Sequence, residues 1–271
     1  MQQPNDRTRT LTCADGARIG LRVAGDGPPA VIVPGSLAPT SAYNPLFDAL
    51  ARRHRVHLVT RRGYEDGEAG PRPCQTSYQA EDLAGVFARL QEPATVFGHS
   101  LGGIIALCAL DAVPGAVDRL VLYEPPVALL GERVAALRDE CAALLDAGQP
   151  EEAVRRSFEI SGSPELVSGG EAGRKEAALR LVPLARGLVM DLECAAGMTV
   201  DDIPTDRGRW PTPDLPVLLL GAGLSGPLYA EGVRMLRERI ADVEYKKLTR
   251  EPHFPTDLNA IARLVAASDS G

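Results

Sequence analysis

The sequence predicts an α/β fold: a mostly parallel sheet of eight strands with an N-terminal antiparallel hairpin, helices on both faces and an inserted helical segment. Strand and helix patterns alternate along most of the chain. The predicted strands that alternate with helices carry continuous rather than alternating apolar residues, which is typical of parallel strands covered on both faces. Between residues 127 and 210 the alternation stops, and Ala-, Leu-, Arg- and Glu-rich helical patterns replace it.

The N-terminal half supplies the hairpin and the first strand–helix units. Two semi-alternating runs within residues 11–24 flank Asp15-Gly16, a dipeptide suited to a tight hairpin turn. Pro45 stands near the first turn of a predicted helix, where proline is tolerated. The predicted strands are 30–33, 56–60, 94–97 and 118–123, and the predicted helices are 43–53, 77–90 and 101–112.

An insertion and a second series of elements follow. We expect residues 127–210 to form a helical cap, with helical stretches at 132–147, 151–160 and 171–198. Residues 1–126 and 211–271 then form the core domain, and the proline-rich segment 211–216 leads back into the sheet. The last predicted elements are strands 216–220 and 243–248 and helices 229–240 and 256–267.

Composition excludes several classes of protein. The chain has 271 residues, of which 45% are hydrophobic and 24% charged, unlike a collagen-like, coiled-coil or largely disordered chain. No apolar run approaches the roughly 18 residues that cross a bilayer. A net charge of -7 without a basic cluster argues against a nucleic-acid partner. The first seven residues lack an apolar segment, so we expect no signal peptide and a cytoplasmic location.

The cysteines and histidines predict neither a disulfide framework nor a metal site. The five cysteines are scattered without a CxxC pair, so we expect them to be reduced. Among the four histidines, His54 and His57 are the closest, and we place both in one strand. A spacing of three in a strand puts side chains on opposite faces. We therefore expect no metal and no cofactor.

One sequence motif indicates a catalytic site. Gly98-His99-Ser100-Leu101-Gly102 matches GxSxG and lies between a predicted strand and a predicted helix. Such a turn holds the central serine at a strained backbone angle with its hydroxyl exposed above the sheet. The helix that follows directs its N–H groups toward developing negative charge. Ser100 is therefore the predicted nucleophile.

With this motif and this order of elements, the chain resembles the α/β-hydrolase superfamily over nearly its whole length. The resemblance implies the α/β-hydrolase fold and an oxyanion hole formed by the backbone N–H groups of Ser36 and Leu101. Pro34 stands where the family usually has His, and a hole built from N–H groups does not need that side chain. Residues 60–64 (Thr-Arg-Arg-Gly-Tyr) resemble a structural turn that follows the fourth strand.

The resemblance also implies a general base. Residues 250–255 (Arg-Glu-Pro-His-Phe-Pro) are similar to the segment after the last strand that carries the family's histidine, which makes His253 the base. His99 is adjacent to Ser100, and we expect it to pack under the turn. The alternative for His253 is a histidine on a surface loop or an inactive remnant.

This chain departs from the family in the position of the acid. In the family, the acid usually follows the seventh strand. Here that strand is followed by residues 222–227 (Ala-Gly-Leu-Ser-Gly-Pro), and no carboxylate occurs before Glu231. A known alternative in the superfamily places the acid after the sixth strand, and Glu124 follows that strand here. Glu124 is thus the candidate that would hold the tautomer of His253 and stabilise its imidazolium.

Other assignments of the acidic residue stay open. Glu124 would otherwise cap a turn or pair with an arginine. The candidates from the insertion are Asp191, Glu193, Asp201 and Asp202. A Ser-His dyad, with Ser225 as a polar residue in the vacated place, would still act on reactive esters because oxyanion stabilisation survives loss of the acid.

An insertion after the sixth strand would lie over the carboxyl ends of the strands, where α/β sheets bind ligands. Its apolar residues at helical spacings are Leu129, Leu130, Val134, Leu137, Phe158, Leu181, Leu184, Leu188, Val189 and Met190. Such stripes pack a cap against a core more often than they line a substrate pocket. The basic residues Arg155, Arg156, Arg174 and Lys175 are read as a solvated face.

The resemblance implies a serine hydrolase that cleaves a carboxylic ester, thioester or lactone of a small, partly hydrophobic molecule through an acyl-enzyme on Ser100. The serine disfavours relatives with an Asp nucleophile, such as haloalkane dehalogenases and epoxide hydrolases. The alternatives are a cofactor-free lyase, cyclase or oxygenase on the same fold and a ligand-binding module with a vestigial triad. The expected partner is a small-molecule substrate, without nucleic acid or membrane.

Overall fold

The structure, a computed structural model, describes residues 6–65, 67–70, 75–113, 115–161, 170–206 and 214–268. Its strands are β1 (Arg7–Thr12), β2 (Arg18–Ala24), β3 (Pro29–Val33), β4 (Arg55–Thr60), β5 (Ala94–His99), β6 (Val117–Tyr123), β7 (Val217–Ala222) and β8 (Glu244–Leu248). They form one sheet in the order β1-β2-β4-β3-β5-β6-β7-β8. The pairs β1–β2 and β2–β4 are antiparallel, and the other neighbours are parallel. The predicted sheet and its N-terminal hairpin are confirmed.

The helices follow the predicted order, with differences at their ends. They are α1 (Asn44–Leu50), α2 (Thr76–Phe87), α3 (Leu101–Ala109), α4 (Glu132–Asp146), α5 (Pro150–Ser161), α6 (Gly170–Leu181), α7 (Ala185–Ala196), α8 (Pro227–Arg239) and α9 (Leu258–Val265). The helical stretch predicted at 171–198 is interrupted by a 3-10 turn at Val182–Leu184, since Pro183 cannot continue the α-helical hydrogen bonds. The last helix begins two residues later than predicted because the side chain of Asp257 caps it by accepting a hydrogen bond from the N–H of Ala260.

Helices cover both faces of the sheet. Helices α1 and α9 pack on one face over side chains such as Ile32, Phe97 and Leu220. On the other face, α2, α3 and α8 pack over Val31, Val96 and their neighbours. The central strands β3, β5 and β7 are buried along their whole length, which accounts for their continuous apolar sequences.

Helices α4–α7, hereafter the inserted helices, lie between β6 and β7 in the chain. Most of their buried apolar side chains belong to the same apolar cluster as the face covered by α2 and α3, while Met190 and Cys194 form a small separate cluster. The interpretation of residues 127–210 as a separate cap stays a prediction. Residues 162–169 and 207–210, together with 211–213 of the predicted linker, lie outside the described residues.

The prediction that His54 and His57 share a strand is wrong, because β4 begins at Arg55. His57 is inside β4 and buried, and within the described part of the chain neither of its ring nitrogens has a hydrogen-bond partner. Burial is the main cause that lowers its pKa to about 4, and the positive charges of the neighbouring Arg55, Arg9 and Arg7 contribute to the same shift. No helix in the described ranges is long and apolar enough to cross a membrane.

Candidate active site

Ser100 occupies a tight turn between β5 and α3. Its backbone has φ 52° and ψ −128°, a conformation that non-glycine residues rarely adopt. Neighbouring segments of the same chain come so close to this turn that only glycine fits two residues before and two residues after Ser100. A Cβ on Gly98 would lie 2.6 Å from the Cα of Gly103, and one on Gly102 would lie 2.3 Å from the carbonyl oxygen of Val33. The GxSxG pattern therefore matches the steric demands of this turn.

The structure brings the three predicted site residues together. Nε2 of His253 lies 3.1 Å from Oγ of Ser100, and Nδ1 of the same ring lies 3.0 Å from Oε2 of Glu124. Ser100, His253 and Glu124 are all buried. A carboxylate can only accept, so Nδ1 carries the proton of the neutral ring and Nε2 is free to accept from the serine hydroxyl. This tautomer is the one that a general base acting on Ser100 needs.

Glu124 is held in place by hydrogen bonds to both of its oxygens. It follows β6 in a left-handed conformation with φ 45°. Oε1 accepts from the N–H of Ala222 at 2.7 Å, and Oε2 accepts from the hydroxyl of Ser225 at 2.5 Å. Burial raises the pKa of Glu124, while the hydrogen bonds from Ser225 and Ala222 lower it. Because the described partners of this carboxylate all donate hydrogen bonds to it, these hydrogen bonds favour its ionised form.

The acids of the insertion bind elsewhere. Asp191 pairs with Arg61, and Asp201 pairs with Arg239. Asp202 accepts from the N–H and the hydroxyl of Thr199. Glu193 lies in a separate groove beside α2. The structure thus brings none of these four acids to His253.

His253 is enclosed by aromatic rings. The ring of Tyr229 stacks on it with centroids 3.6 Å apart and planes inclined by 17°. Nε2 of His99 lies 2.9 Å from the carbonyl oxygen of His253, and Nδ1 of His99 lies 2.6 Å from the hydroxyl of Tyr43. Because that carbonyl can only accept, Nε2 of His99 donates and Nδ1 accepts from Tyr43. Burial lowers the pKa of both histidines, so both rings are neutral near pH 7.

The loop after β3 lies against the serine turn. The N–H of Gly35 donates to the hydroxyl of Tyr43 at 3.0 Å, and the N–H of Leu37 donates to the hydroxyl of Tyr64 at 3.1 Å. Between them, the N–H of Ser36 has no protein acceptor in the described ranges, and neither does the N–H of Leu101. Ser36 and Leu101 both line the cavity next to Ser100. Two unpaired donors beside the serine are the arrangement that an oxyanion hole requires.

A cavity of about 100 Å³ opens above Ser100 and His253. The predicted apolar residues of the insertion that line it are Leu129, Leu130, Val134, Leu137, Phe158 and Leu188. Leu181, Leu184, Val189 and Met190 pack against neighbouring side chains instead. Arg155 and Arg156 form ion pairs with Glu152, Glu159 and Glu140 at the surface, and the side chain of Arg174 lies outside the described residues.

Three tyrosines and one ion pair at this site were not singled out from the sequence. Tyr229 is in the first turn of α8, and no local pattern marks it as a neighbour of His253. Tyr43, in a 3-10 turn before α1, is equally unmarked. Tyr64 and Arg61 lie in the turn that was interpreted as structural. Arg61 is paired with Asp191, and the sequence does not show this pair because the two residues are 130 positions apart.

A mostly parallel eight-stranded sheet with a serine on a strand–turn–helix elbow defines an α/β hydrolase. Comparison with known proteins agrees. The sequence model of the alpha/beta hydrolase family matches residues 30–267, and the chain belongs to this family.

Several solved structures share the fold. An alpha/beta hydrolase from Sphaerobacter thermophilus is 26% identical with a TM-score of 0.77, over 97% of this chain and 100% of that one. An esterase from Rhodococcus sp. is 20% identical (TM-score 0.69, covering 97% of each chain). An enol-lactonase from Burkholderia xenovorans is 18% identical (TM-score 0.73, covering 96% of this chain and 98% of that one).

The match to curated sequences is shorter. An uncharacterized protein from Mycobacterium tuberculosis is 29% identical over 108 residues, which are 40% of this chain. The match spans 32% of the length of that relative.

Proposed function

We propose that this protein is a serine hydrolase that cleaves a carboxylic ester, thioester or lactone of a small, partly hydrophobic molecule through an acyl-enzyme on Ser100. The observation that carries the proposal is the position of His253, whose ring joins Oγ of Ser100 at 3.1 Å to the carboxylate of Glu124 at 3.0 Å. These distances are within the reach that proton transfer from serine to histidine needs.

In this mechanism His253 takes the proton of Ser100 while Oγ attacks the carbonyl carbon of the substrate. The N–H groups of Ser36 and Leu101 donate to the negative oxygen of the tetrahedral intermediate. His253 then gives its proton to the leaving alcohol, thiol or hydroxyl, and the acyl group stays on Ser100. His253 then takes a proton from a water molecule that attacks the acyl carbon, and it passes that proton to Oγ of Ser100 as the acyl–oxygen bond breaks and the acid leaves. Glu124 stabilises the imidazolium during both steps.

The cavity supports a neutral, partly apolar substrate. Leucines and Phe158 of the inserted helices form much of its wall, which is the role we propose for these helices as a cap over residues 1–126 and 211–271. The described lining includes Asp191, whose carboxylate is bound to Arg61 and Tyr64, and contains no lysine or arginine. An anionic acyl group would therefore enter without a compensating cation. The esterase and the enol-lactonase named above have the same fold, so esters and lactones belong in the substrate screen.

The test is the intact mass of the protein after exposure to a small fluorophosphonate. We expect one adduct on the wild type, none on Ser100→Ala and a greatly slowed reaction of His253→Ala. Ser157→Ala is the matched control: this second buried serine of the cavity donates to the carbonyl of Val154 and has no histidine partner in the described contacts. Its variant should react like the wild type.

An adduct that persists in Ser100→Ala would contradict the proposal. A folded wild type that forms no adduct would do the same and would favour proton-transfer chemistry on the same residues. Turnover of esters, thioesters and lactones by the wild type, followed by product analysis, then identifies the bond that is cleaved.

A further inference from the structure

We infer that Asp191 is a positioning residue for the oxyanion hole, although it belongs to the inserted helix α7. The inference rests on the proposed function. The carboxylate reaches the loop that presents the N–H of Ser36 through two side chains, Arg61 and Tyr64. Packing of the inserted helices on the core and formation of the oxyanion hole are thereby coupled.

Both carboxylate oxygens of Asp191 accept hydrogen bonds from residues of the core. Oδ1 accepts from Nη1 of Arg61 at 2.7 Å, and Oδ2 accepts from Nη2 at 2.8 Å. Oδ2 also accepts from the hydroxyl of Tyr64 at 2.5 Å. Asp191 is 2% exposed and Arg61 is 4% exposed, so solvent does not screen this two-point ion pair.

Arg61 and Tyr64 hold the loop on both sides of Ser36. Nε of Arg61 donates to the carbonyl of Pro34 and Nη2 donates to the carbonyl of Gly35, each at 2.9 Å. The hydroxyl of Tyr64 accepts from the N–H of Leu37 at 3.1 Å. Three of the loop's contacts therefore depend on groups that Asp191 binds. The fourth, from the N–H of Gly35 to Tyr43, is independent of it.

The guanidinium has no spare donor to replace Asp191. Its remaining N–H on Nη1 donates to Oε1 of Gln79 at 2.9 Å, so all five N–H groups of Arg61 are in use. Burial alone would lower the pKa of Arg61, but the charge and hydrogen bonds of Asp191 raise it, and the group stays charged. Without the carboxylate, a buried cation would have to move toward other acceptors, and its carbonyl partners in the loop would move with it.

A neighbouring ion pair supplies a matched control. Arg62 is as deeply buried as Arg61 and pairs with Asp82 and Asp15. In the described contacts, neither Arg62 nor these two acids hydrogen-bonds to residues 34–37. Asp82→Asn therefore disturbs a buried Arg–Asp pair one residue away without a direct path to Ser36.

The experiment compares Asp191→Asn with Asp82→Asn in the full-length protein. It measures kcat and KM on a p-nitrophenyl ester, the rate of phosphonylation and the Tm. We expect Asp191→Asn to lower kcat and the phosphonylation rate by about 10- to 100-fold, because displaced donors stabilise the oxyanion poorly. KM should change much less, and the pH profile, which His253 and Glu124 set, should keep its shape. Asp82→Asn should lower Tm to a similar extent but leave kcat within about twofold.

A second variant covers the case in which Asp191→Asn does not fold. Arg61→Met/Asp191→Leu replaces the buried ion pair by apolar side chains, a change that proteins often tolerate. It should fold and still show the low kcat, because nothing then holds the carbonyls of Pro34 and Gly35. A kcat near that of the wild type in either variant would overturn the inference.

The failure of this inference can be told from that of the proposed function. A wild type that is not phosphonylated at Ser100 overturns both. A wild type that is phosphonylated, with a folded Asp191 variant that reacts equally fast, overturns the role of Asp191 alone. If Asp191→Asn and Asp82→Asn lowered kcat equally, the loss would come from a general loss of stability. That result would overturn the inference as well.

Discussion

The hydroxyl of Ser225 lies 2.5 Å from Oε2 of Glu124, the same carboxylate oxygen that faces Nδ1 of His253. Ser225 follows β7, after which α/β hydrolases usually carry their acid, whereas Glu124 follows β6. The two strands are parallel neighbours, so their carboxyl ends meet at one edge of the sheet. The end of β7 therefore lies beside the end of β6, and Ser225, which follows β7, contacts the carboxylate that faces His253.

Replacing Glu124 tests this arrangement. We expect Glu124→Gln to lower kcat by about 10³- to 10⁴-fold, because the imidazolium loses its counter-charge and the histidine loses its preferred tautomer. Ser225→Ala removes a single hydrogen bond to the carboxylate and should cost about 10-fold or less. The measurement is the steady-state hydrolysis of a p-nitrophenyl ester by variants whose Tm shows that they are folded.

The double variant Glu124→Gln/Ser225→Asp asks whether the acid can be moved back to β7. Since Ser225 already touches the carboxylate that binds His253, an aspartate there should recover part of the lost kcat. Wild-type activity in folded Glu124→Gln would show that Glu124 is not the acid.

The stack of Tyr229 on His253 predicts a role for the ring in orienting the base. With centroids 3.6 Å apart, the tyrosine restricts rotation of the imidazole out of the plane that joins Ser100 and Glu124. Tyr229→Ala should lower kcat by about 10-fold or more, while Tyr229→Phe, which keeps the ring, should stay within about threefold. Stopped-flow phosphonylation of the two variants measures the effect. A fast Ala variant would assign the ring to packing alone.

Phe158 predicts how the cavity selects the acyl group. Its side chain is 3% exposed and lines the cavity of about 100 Å³, so it limits the length of chain that fits. Phe158→Ala should shift the ratio of kcat/KM values toward longer esters in a series from acetyl to octanoyl, by about 10-fold or more. It should also destabilise the protein by about 3 kcal/mol.

Phe87 is the matched control for Phe158. It is buried in the same apolar cluster, at 2% exposure, but it is not part of the cavity lining. Phe87→Ala should destabilise the protein without changing the preference for chain length. An unchanged preference in Phe158→Ala would show that the acyl group binds elsewhere.

The buried histidines predict a loss of stability in mild acid. Burial lowers the pKa of His57 to about 4 and also lowers the pKa of His99 and His253, from an ordinary value of 6.5. Below pH 6.5 the unfolded chain binds protons that the folded chain does not, so the free energy of unfolding falls as pH falls. Glu124, whose pKa burial raises above 4.5, has the opposite sign and offsets part of the loss.

Urea unfolding at pH 7 and pH 5 measures this loss, and His57→Leu isolates one part of it. With a folded pKa of about 4 and an unfolded value of 6.5, His57 should account for about 1–2 kcal/mol of the decrease between these pH values. The variant should show a correspondingly smaller decrease and an unchanged kcat, since His57 is not in the cavity lining. An equal pH dependence in wild type and variant would contradict the burial of a neutral His57.

Much of the fold was predictable because its signals are local. Apolar runs bounded by turn residues marked the central strands, and the GxSxG pattern identified the elbow because close packing of the chain there admits only glycine two residues before and two residues after Ser100. Errors arose where a local feature interrupts a periodic pattern, as at Pro183 between α6 and α7. They also arose at the start of β4, which begins after His54.

By itself, the sequence determined the α/β class, the serine elbow and a short set of candidates for base and acid. The tertiary structure decided which acidic residue lies next to His253, because that depends on the meeting of the ends of β6 and β7. It also decided that Asp191 binds Arg61 and that Tyr229 stacks on His253. Such contacts join residues far apart in the chain, and no local periodicity or turn chemistry encodes them. They exist only once the sheet has aligned its strand ends and the inserted helices have packed against them.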